Sequence, residues 1–368
     1  MIGEITYSWT PPDWSQDKFL RLGGFTVVFL NYNKIAQIRK SVTSTLAQNF
    51  PLLEMFFMDD ASTDGSGDEM ERLVREYRGR HKVMVVRNTE NQRIAGQWNI
   101  VSKLATGNWF GMFCADDVQF PNRVTLVAER ITHYPHLKGI CTAVMMRDYD
   151  NGEKVARHHY NPQPWTLTGE VDDPRQIENV IDGASSFWHR SLFDRPLPAV
   201  NLDDMLIRWI LQAKCEGQKD VVWTWASDLI TLEYAKGTGI TSKNVNDKLH
   251  GANPREQWIM DSRQIKDWFR LVVLSHRGID AYFRENHVST RLRHQSRWSG
   301  LMAESIRGNT VDRIRILPEL ALVLASVHLP VPCKLALWSL WIKKLVQEFF
   351  GLGFAAWVSA RIRGRKCR

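Results

Sequence analysis

The segment FTVVFLNYNK (residues 25–34) begins with six uncharged, mostly apolar residues and continues into polar, turn-forming residues. Two similar runs follow, EMFFM (54–58) and WFGMFCA (109–115), and a pair of aspartates comes directly after each of them. Strands that are covered on both faces read as continuous hydrophobic segments, as in the parallel sheet of an α/β protein. Carboxylates at the carboxyl ends of such strands lie where open α/β sheets bind their ligands.

Strand-like and helix-like segments alternate through the first part of the chain. HKVMVVRN (81–88) predicts another strand, and helices are predicted over roughly residues 35–47, beyond residue 66 and over 95–105. Alternation at this spacing predicts an α/β fold with a doubly wound, mostly parallel sheet.

The chain divides by composition into three parts. Residues 1–24 read as a polar and aromatic extension, residues 25–250 as the α/β domain, and residues 251–368 as a helical, basic region. From Arg255 onward there are 20 Lys/Arg and 9 Asp/Glu, whereas the preceding part has 28 and 31. A basic end on a slightly acidic body predicts that this end meets an anionic partner.

Several classes of protein are disfavoured by the same sequence. The five cysteines are odd in number, widely spaced and free of CxxC pairs, so we expect a reducing cytosol and neither a disulfide framework nor a zinc site. The beginning of the chain lacks the basic and apolar regions of a signal peptide, and no run of ~18 uncharged apolar residues predicts a membrane-spanning helix. Nucleic acid is not an expected partner, because the basic excess lies in an apolar, Trp-rich region.

A third aspartate pair, Asp203-Asp204, opens the segment DDMLIRWILQAKC (203–215), which has helical periodicity. A cleft rimmed with carboxylates suits a divalent metal, a diphosphate and a hydroxyl that must lose its proton. The first hypothesis is therefore a transferase that acts on a phosphate-bearing substrate. From the residues alone, each pair could instead cap a turn or favour a helix N-terminus.

Along the chain, these motifs resemble family 2 glycosyltransferases of the GT-A fold. FTVVFLNYNK is similar to the first strand of that family, LAQNFPLLEMFFMDDASTDGS to its second strand and Asp-Asp-x-Ser loop, and NQRIAGQWNIVSKLATGNWFGMFCADD to the stretch ending in its acidic metal motif. The resemblance covers roughly residues 25–242. It implies inverting transfer of a sugar from a nucleoside diphosphate, expected to be UDP, to a hydroxyl of a saccharide or lipid-linked saccharide in cell-surface glycan synthesis.

The resemblance also implies which residues bind the donor. Asp60 would accept the imide N–H of uracil, which suits a carboxylate because it only accepts hydrogen bonds. Tyr32 would stack on or flank the base, and Arg93 would meet a phosphate. Alternatively, Tyr32 could be a core residue and Arg93 an ordinary surface residue.

Asp116 and Asp117 stand where the family carries its DxD motif. Asp116 would contact the ribose, and Asp117 would bind Mn²⁺ or Mg²⁺ that bridges the diphosphate. The chain departs from the common LDxDD form, because Cys114 and Ala115 precede the pair. Gly237 takes a place that often carries a histidine near the metal, so Asp117 is the only metal ligand carried over.

Asp204 resembles the second residue of the family's Glu-Asp motif, with Asp203 in the Glu position. The resemblance makes Asp204 the general base that takes the proton from the acceptor hydroxyl. Spacing does not distinguish which of Asp203 and Asp204 points inward.

The C-terminal region carries a pattern of its own. Trp338, Trp341, Ile342, Leu345 and Phe349 fall on one predicted helix face, and the chain ends with the basic run RIRGRKCR. Aromatic residues on one side and basic residues nearby predict a helix lying in an anionic membrane interface, which would place the protein peripherally at the inner face of the cytoplasmic membrane. An ordinary packing helix with a solvated basic tail is the alternative.

Two other functions fit part of the pattern. A catalytically inactive GT-A scaffold in a polysaccharide assembly complex would keep the fold without needing the carboxylates. A sugar nucleotidyltransferase shares sheet topology and metal carboxylates, but normally has a glycine-rich loop after the first strand, and NYNKIAQIRK has no glycine.

Overall fold

A computed structural model describes residues 3–148, 154–157, 164–171, 173–174, 176, 183–198, 203–236, 277–307 and 316–345. The chain divides into two compact units. The first comprises Met1–Glu170 and Asn179–Ala252, and the second comprises Val171–Glu178 and Asn253–Arg368.

The first unit is built on a single mixed sheet. Its strands are β1 Glu4–Trp9, β2 Phe25–Asn31, β3 Glu54–Asp59, β4 Lys82–Arg87, β5 Trp109–Cys114, β6 Val118–Gln119, β7 Gly139–Asp148, β8 Lys154–Arg157, β9 Trp165–Thr168, β10 Ser186–His189 and β11 Val221–Lys236. Its helices are α1 Gln16–Arg21, α2 Ile38–Leu46, α3 Ser66–Glu76, α4 Arg93–Leu104, α5 Arg123–Thr132 and α6 Asp203–Lys214. Two 3₁₀ turns, Gly183–Ser185 and Arg190–Phe193, flank β10.

The strand order is β1-β4-β3-β2-β5-β10-β7-β11-β6, with β8 beside β7 and β9 beside β11. The four strands β4, β3, β2 and β5 are parallel, whereas β1, β10, β6, β8 and β9 pair with their neighbours antiparallel. The predicted α/β fold with a parallel centre is confirmed, and antiparallel strands complete the sheet on both sides. Strands β3 and β5 lie on opposite sides of β2, so the chain reverses direction across the sheet at β2.

The central strands form because their side chains are buried on both faces. Every residue of β2 and of β3 is buried, as the apolar centres of these strands predict, and β3 has a buried carboxylate at each end, Glu54 and Asp59. Phe29 and Phe57 pack with their ring centroids 5.2 Å apart on neighbouring strands. Burial of this apolar surface, at about 25 cal/mol per Å², is the main stabilisation of the sheet.

The N-terminal residues take part in the sheet. Residues 1–24 read as an extension from the sequence, but Glu4–Trp9 pairs antiparallel with β4, and Phe19 of α1 is fully buried. The mixture of exposed and partly buried residues in β1 is typical of an edge strand and carries a weaker sequence signal than a buried run.

The second unit is helical where it is described. It contains α7 (277–285), α8 (Thr290–Arg307), α9 (Leu317–Ala325) and α10 (331–345). A buried cluster joins α8, α9 and α10 and consists of Trp298, Leu301, Leu320, Val323, Leu329, Cys333, Leu337 and Trp341. No helix in these parts of the chain is both long enough and apolar enough to cross a membrane.

The structure divides the face predicted for the last helix. Trp341 lies in the buried cluster together with Leu337, whereas Trp338 and Ile342 are exposed. Phe349 lies outside the described residues. The periodicity correctly predicts a helix. The residues predicted to share one face do not share one environment, because some are buried and others are exposed.

Candidate active site

The candidate site lies at the carboxyl ends of β2, β3 and β5. Asn31 at the end of β2 is paired with Asp59 of β3, and Leu30 is paired with Cys114 of β5. Because the chain reverses across the sheet at β2, the loops after these strands diverge and leave the crevice in which open α/β sheets bind ligands.

Asp59 is bound by side chains of its own unit. Its carboxylate accepts a hydrogen bond from Asn31 Nδ2 at 2.8 Å and lies 3.4 Å from Arg87 Nε. The Ser62 backbone N–H also donates to it, at 3.3 Å. Only 1% of Asp59 is exposed, so this carboxylate joins β2, β3 and β4 instead of facing the crevice.

Asp60 anchors the loop between β4 and α4. Its Oδ1 accepts hydrogen bonds from Asn88 Nδ2 and Gln92 N–H, both at 2.8 Å, and its Oδ2 accepts one from Arg93 N–H at 2.9 Å. The residue is 2% exposed. Burial raises the pKa of the Asp60 carboxyl, and the hydrogen bonds from Gln92, Asn88 and Arg93 oppose that rise.

Arg93 begins α4 with a strained backbone. Its φ is +59°, in the left-handed region that a residue with a Cβ adopts at a cost of order 1 kcal/mol. The hydrogen bond from its N–H to Asp60 helps hold this conformation, and the guanidinium side chain is exposed. Tyr32, directly after β2, is 40% exposed. Both residues predicted to meet the donor therefore have accessible side chains.

Reciprocal hydrogen bonds join the loop after β2 to the loop after β3. Asn33 N–H donates to Ser62 Oγ at 3.0 Å, and Asn33 Oδ1 accepts from Thr63 N–H at 2.8 Å. The Ile35 N–H donates to Asp64 Oδ2 at 2.9 Å. Asn33 has a φ of +52°, which an asparagine tolerates better than most residues. These contacts fix the backbone on both sides of Lys34.

Asp116 forms an ion pair with Lys34. The Lys34 Nζ lies 2.8 Å from Asp116 Oδ2, and the two side chains are 17% and 13% exposed. This contact joins the loops at the ends of the neighbouring strands β2 and β5. Lys34 belongs to the segment NYNK at the end of β2, and the sequence motifs do not predict that its side chain reaches the site.

Asp117 lies deeper than Asp116. It is 1% exposed, and its Oδ1 accepts a hydrogen bond from Ala235 N–H at 3.1 Å. Ala235 is near the end of β11, two residues before Gly237. Gly237 itself lies outside the described residues.

Cys114, Asp116 and Asp117 together form a group that could hold a metal ion. One ligand atom from each residue lies within 4.8 Å of the other two. Opposite ligands of an octahedral Mg²⁺ are about 4.2 Å apart, so small side-chain movements would bring these atoms to coordination distance. Carboxylates suit Mn²⁺ and Mg²⁺, whereas a thiol is the softer donor. The donor set fits the expected divalent cation, with Asp116 and Asp117 as the hard ligands.

Asp203 and Asp204 begin α6, as predicted, but their side chains lie outside what the structure describes. Their assignment as general base therefore stays a prediction. Asp60, Tyr32, Arg93, Asp116 and Asp117 lie on the loops after β2, β3 and β5 or at the start of α4. The sequence motifs do not predict a role for Lys34 or Cys114. The available signal is their position, because Cys114 is the last residue of β5 and Lys34 lies three residues after β2.

Comparisons with known proteins show similarity to glycosyltransferases. The family model of glycosyl transferase family 2 matches residues 26–194. EpsE of Bacillus subtilis (strain 168), a protein named as a glycosyltransferase, is 26% identical over 125 residues, which cover 33% of this chain and 44% of EpsE. An uncharacterized glycosyltransferase of Nostoc sp. (strain PCC 7120), alr2836, is 30% identical over 104 residues, which cover 28% of this chain and 31% of that protein. The chain thus spans less than half the length of these relatives.

Among solved structures, residues 1–349 of S. aureus TarS in complex with UDP-GlcNAc are similar, with a TM-score of 0.55 and 16% identity. The likeness covers 87% of this chain and 88% of that one. At this identity it shows a shared fold, and it confirms the predicted GT-A architecture.

Proposed function

We propose that this chain, by its residues 26–194 a member of glycosyl transferase family 2, is an inverting glycosyltransferase that moves a sugar from a UDP-sugar to an acceptor hydroxyl. The acceptor in this proposal is a saccharide or lipid-linked saccharide in polysaccharide synthesis. The observation that carries the proposal is the gathering of Cys114, Asp116 and Asp117 within 4.8 Å of one another beside β2, where the sheet reverses.

The donor nucleotide lies over the ends of β2 and β3 in this proposal. The exposed ring of Tyr32 flanks the base, and Asp60 fixes the loop that begins with Asn88 and ends at Arg93. The uracil imide N–H then meets Asp60 or the loop that Asp60 orders. Arg93 offers an exposed guanidinium to a phosphate. The fold neighbour TarS binds UDP-GlcNAc, which supports a uridine donor.

The diphosphate lies at the end of β5. Asp117 would hold Mn²⁺ or Mg²⁺ there, with Asp116 close enough to share the ion or to contact the ribose. When bound, the ion would neutralise charge on the departing nucleoside diphosphate. The Ala235 N–H keeps Asp117 oriented through one carboxylate oxygen.

The acceptor reacts on the opposite side of the donor sugar. Asp204, or Asp203 in its place, takes the proton of the acceptor hydroxyl, whose oxygen forms a bond to the anomeric carbon. The bond from that carbon to the diphosphate oxygen breaks at the same time, and the diphosphate keeps the electron pair. Attack opposite the leaving group inverts the configuration.

A donor-hydrolysis screen tests the proposed activity. The purified protein is incubated with UDP-, GDP- and dTDP-sugars, with Mn²⁺ or with EDTA, and release of the nucleotide is measured. We expect release from a UDP-sugar that needs the metal and is lost in Asp117→Ala. If the Asp117→Ala protein behaves as the wild type in every assay, including assembly with partner proteins, the catalytically inactive scaffold is the better account.

We further propose that the second unit attaches the protein to the anionic inner face of the cytoplasmic membrane. Val331, Leu335, Trp338 and Ile342 recur at helical spacing on α10, and each is between 37% and 64% exposed. Val327, at the turn before α10, is 87% exposed. An exposed apolar stripe of this kind marks a membrane or protein interaction site.

The charges around this stripe favour an anionic lipid surface over a protein. Residues 331–345 contain Lys334, Lys343 and Lys344 and no acidic residue. Each basic residue close to an anionic leaflet contributes about 1 kcal/mol, and insertion of the apolar side chains adds to that attraction. The contribution of the lysines is screened by salt, whereas apolar insertion is not.

Substitutions on the stripe test the membrane proposal. The Leu335→Ser/Trp338→Ser variant leaves the buried Leu337 and Trp341 in place, and Leu20→Ser removes an exposed leucine from the first unit as a control. Co-sedimentation with phosphatidylglycerol vesicles should fall at least several-fold in the double variant only, and should weaken without vanishing at high salt. Equal sedimentation of both variants would contradict this surface as the membrane contact.

A further inference from the structure

Lys34 occupies the candidate metal and diphosphate site with a positive charge of its own. Its Nζ lies 2.8 Å from Asp116 Oδ2, and Asp116 is one of three residues whose ligand atoms lie within 4.8 Å of one another. The lysine is 17% exposed and the aspartate 13%, so water screens this ion pair less than a surface pair.

The backbone around Lys34 is held in place. Lys34 N–H donates to Ser66 Oγ at 3.3 Å, and the flanking N–H groups of Asn33 and Ile35 donate to Ser62 and Asp64. The Lys34 carbonyl accepts the Ile38 N–H at 2.9 Å at the beginning of α2. The backbone of Lys34 is therefore held in place, and a change of partner for its ammonium requires only rotation of the side chain.

Charge balance gives this lysine two roles that depend on what is bound. Asp116 and Asp117 carry two negative charges, and Lys34 offsets one of them. A divalent cation that binds without nucleotide is repelled by the Lys34 ammonium, because two positive charges a few ångströms apart repel strongly in a partly buried site. This repulsion weakens binding of the metal alone. A diphosphate added with the cation brings negative charge that both cations attract.

We propose that Lys34 is a ligand of the donor diphosphate that pairs with Asp116 when no nucleotide is bound, and that it thereby couples metal binding to nucleotide binding. This inference rests on the proposed function, because it needs the metal and the diphosphate to bind at the end of β5. Lys34 competes with the metal for Asp116 when the nucleotide is absent, and it joins the metal in binding the diphosphate when the nucleotide is present.

Coupling between two ligands is reciprocal, so it is measurable from either side. For the wild type, Mn²⁺ should raise UDP affinity, and UDP should raise Mn²⁺ affinity by the same factor. In Lys34→Met, Mn²⁺ alone should bind several-fold to about tenfold more tightly, because the competing ammonium is gone. UDP in the presence of Mn²⁺ should bind about tenfold more weakly, so the coupling factor falls.

Isothermal titration of Mn²⁺ and of UDP, each with and without the other, measures all four affinities. Lys40→Met is the matched control, because Lys40 is an exposed lysine on the neighbouring α2. Lys34→Arg keeps the positive charge and should keep most of the coupling. Thermal melting of each variant establishes that the fold is intact.

The outcomes separate this inference from the proposed function. A wild type that binds neither Mn²⁺ nor UDP overturns the proposed function itself. A wild type that binds both, beside a Lys34→Met protein that matches Lys40→Met in all four affinities, overturns the role of Lys34 alone. Weaker binding of Mn²⁺ by itself in Lys34→Met would also overturn it, since removal of a competitor cannot weaken the metal.

Discussion

Two aspartate pairs end the strands on either side of β2, and the protein uses them differently. Asp59 and Asp60, after β3, are at most 2% exposed and accept hydrogen bonds from Asn31, Asn88 and the loop that begins α4. Asp116 and Asp117, after β5, converge with the Cys114 thiol into a group of metal-binding size, and a lysine ammonium lies against one of them. Similar sequence motifs thus stand in different surroundings: the first pair holds loops through hydrogen bonds, and we propose that the second pair supplies metal ligands.

The largest effect is expected at the second pair. Asp117→Asn removes the proposed charged ligand of the cation while keeping the size and the acceptor oxygen that Ala235 N–H contacts. We expect sugar transfer to fall by at least about 10³-fold and metal-dependent UDP binding to be lost, because charge on the leaving diphosphate is no longer neutralised. Steady-state kinetics and calorimetry measure both quantities, and an unchanged melting temperature is the control. Full activity in this variant would remove the metal from the account.

For the third pair, at the start of α6, we predict a variant that is defective in chemistry but not in donor binding. Asp204→Asn should reduce transfer by roughly 10²–10⁴-fold, the usual contribution of a general base, with UDP affinity unchanged. Transfer rates and UDP calorimetry are compared with those of Asp203→Asn. If UDP affinity falls in step with the rate, Asp204 belongs to the donor site, and Asp203 becomes the first candidate for the base.

The first pair should give a smaller effect of another kind. In the wild type, N–H donors face the Asp60 carboxylate. In Asp60→Asn, the new amide NH₂ group faces these donors and cannot accept their hydrogen bonds, which costs about 1–3 kcal/mol of stability. The loop that carries Arg93 loses its anchor, so UDP affinity should fall by about tenfold. Binding of Mn²⁺ without nucleotide should not change. Chemical denaturation and calorimetry test this, and a loss of Mn²⁺ binding would show that the two pairs do not divide their work as described.

The smallest effect on activity is expected from a group that acts on the stability of the fold and leaves the site unchanged at neutral pH. His81 is 1% exposed, its Nε2–H donates to the Gln48 carbonyl at 2.9 Å, and burial lowers its pKa to about 4. Between pH 6.5 and 4, His81 takes up a proton in the unfolded chain but not in the folded chain. The free energy of unfolding therefore decreases as the pH is lowered, by about 3 kcal/mol at most. In chemical denaturation at several pH values, the free energy of unfolding of His81→Gln should depend less on pH than that of the wild type. An identical slope in both proteins would contradict this assignment.

The sequence predicts the centre of the fold better than its edges. FTVVFL, EMFFM and WFGMFCA are continuous apolar runs because the strands are buried on both faces, and each became a central strand. The edge strand Glu4–Trp9 carries mixed polar and apolar residues, and its place depends on pairing with β4, which is distant in sequence. Pairing between residues that are distant in sequence, and not local composition, places such an edge strand.

The same limit applies to the site. Strand ends predict where carboxylates gather, but they do not predict that Asp60 would be held by three donors of its own chain or that Lys34 would reach Asp116. Both facts depend on how loops from different strands pair. Trp341 shows the limit again, since helical periodicity places it on a face with Trp338 without specifying which of them the neighbouring helices cover.

The central claim is that Asp116 and Asp117 bind the metal whereas Asp59 and Asp60 do not. A titration with Mn²⁺ in the absence of nucleotide tests this claim most directly. Calorimetry or the electron paramagnetic resonance signal of free Mn²⁺ gives the number of bound ions for wild type, Asp60→Asn and Asp117→Asn under one set of conditions. The account predicts one Mn²⁺ bound by the wild type and by Asp60→Asn with similar affinity, and none bound by Asp117→Asn. Binding that survives in Asp117→Asn, or that is lost in Asp60→Asn, would contradict it.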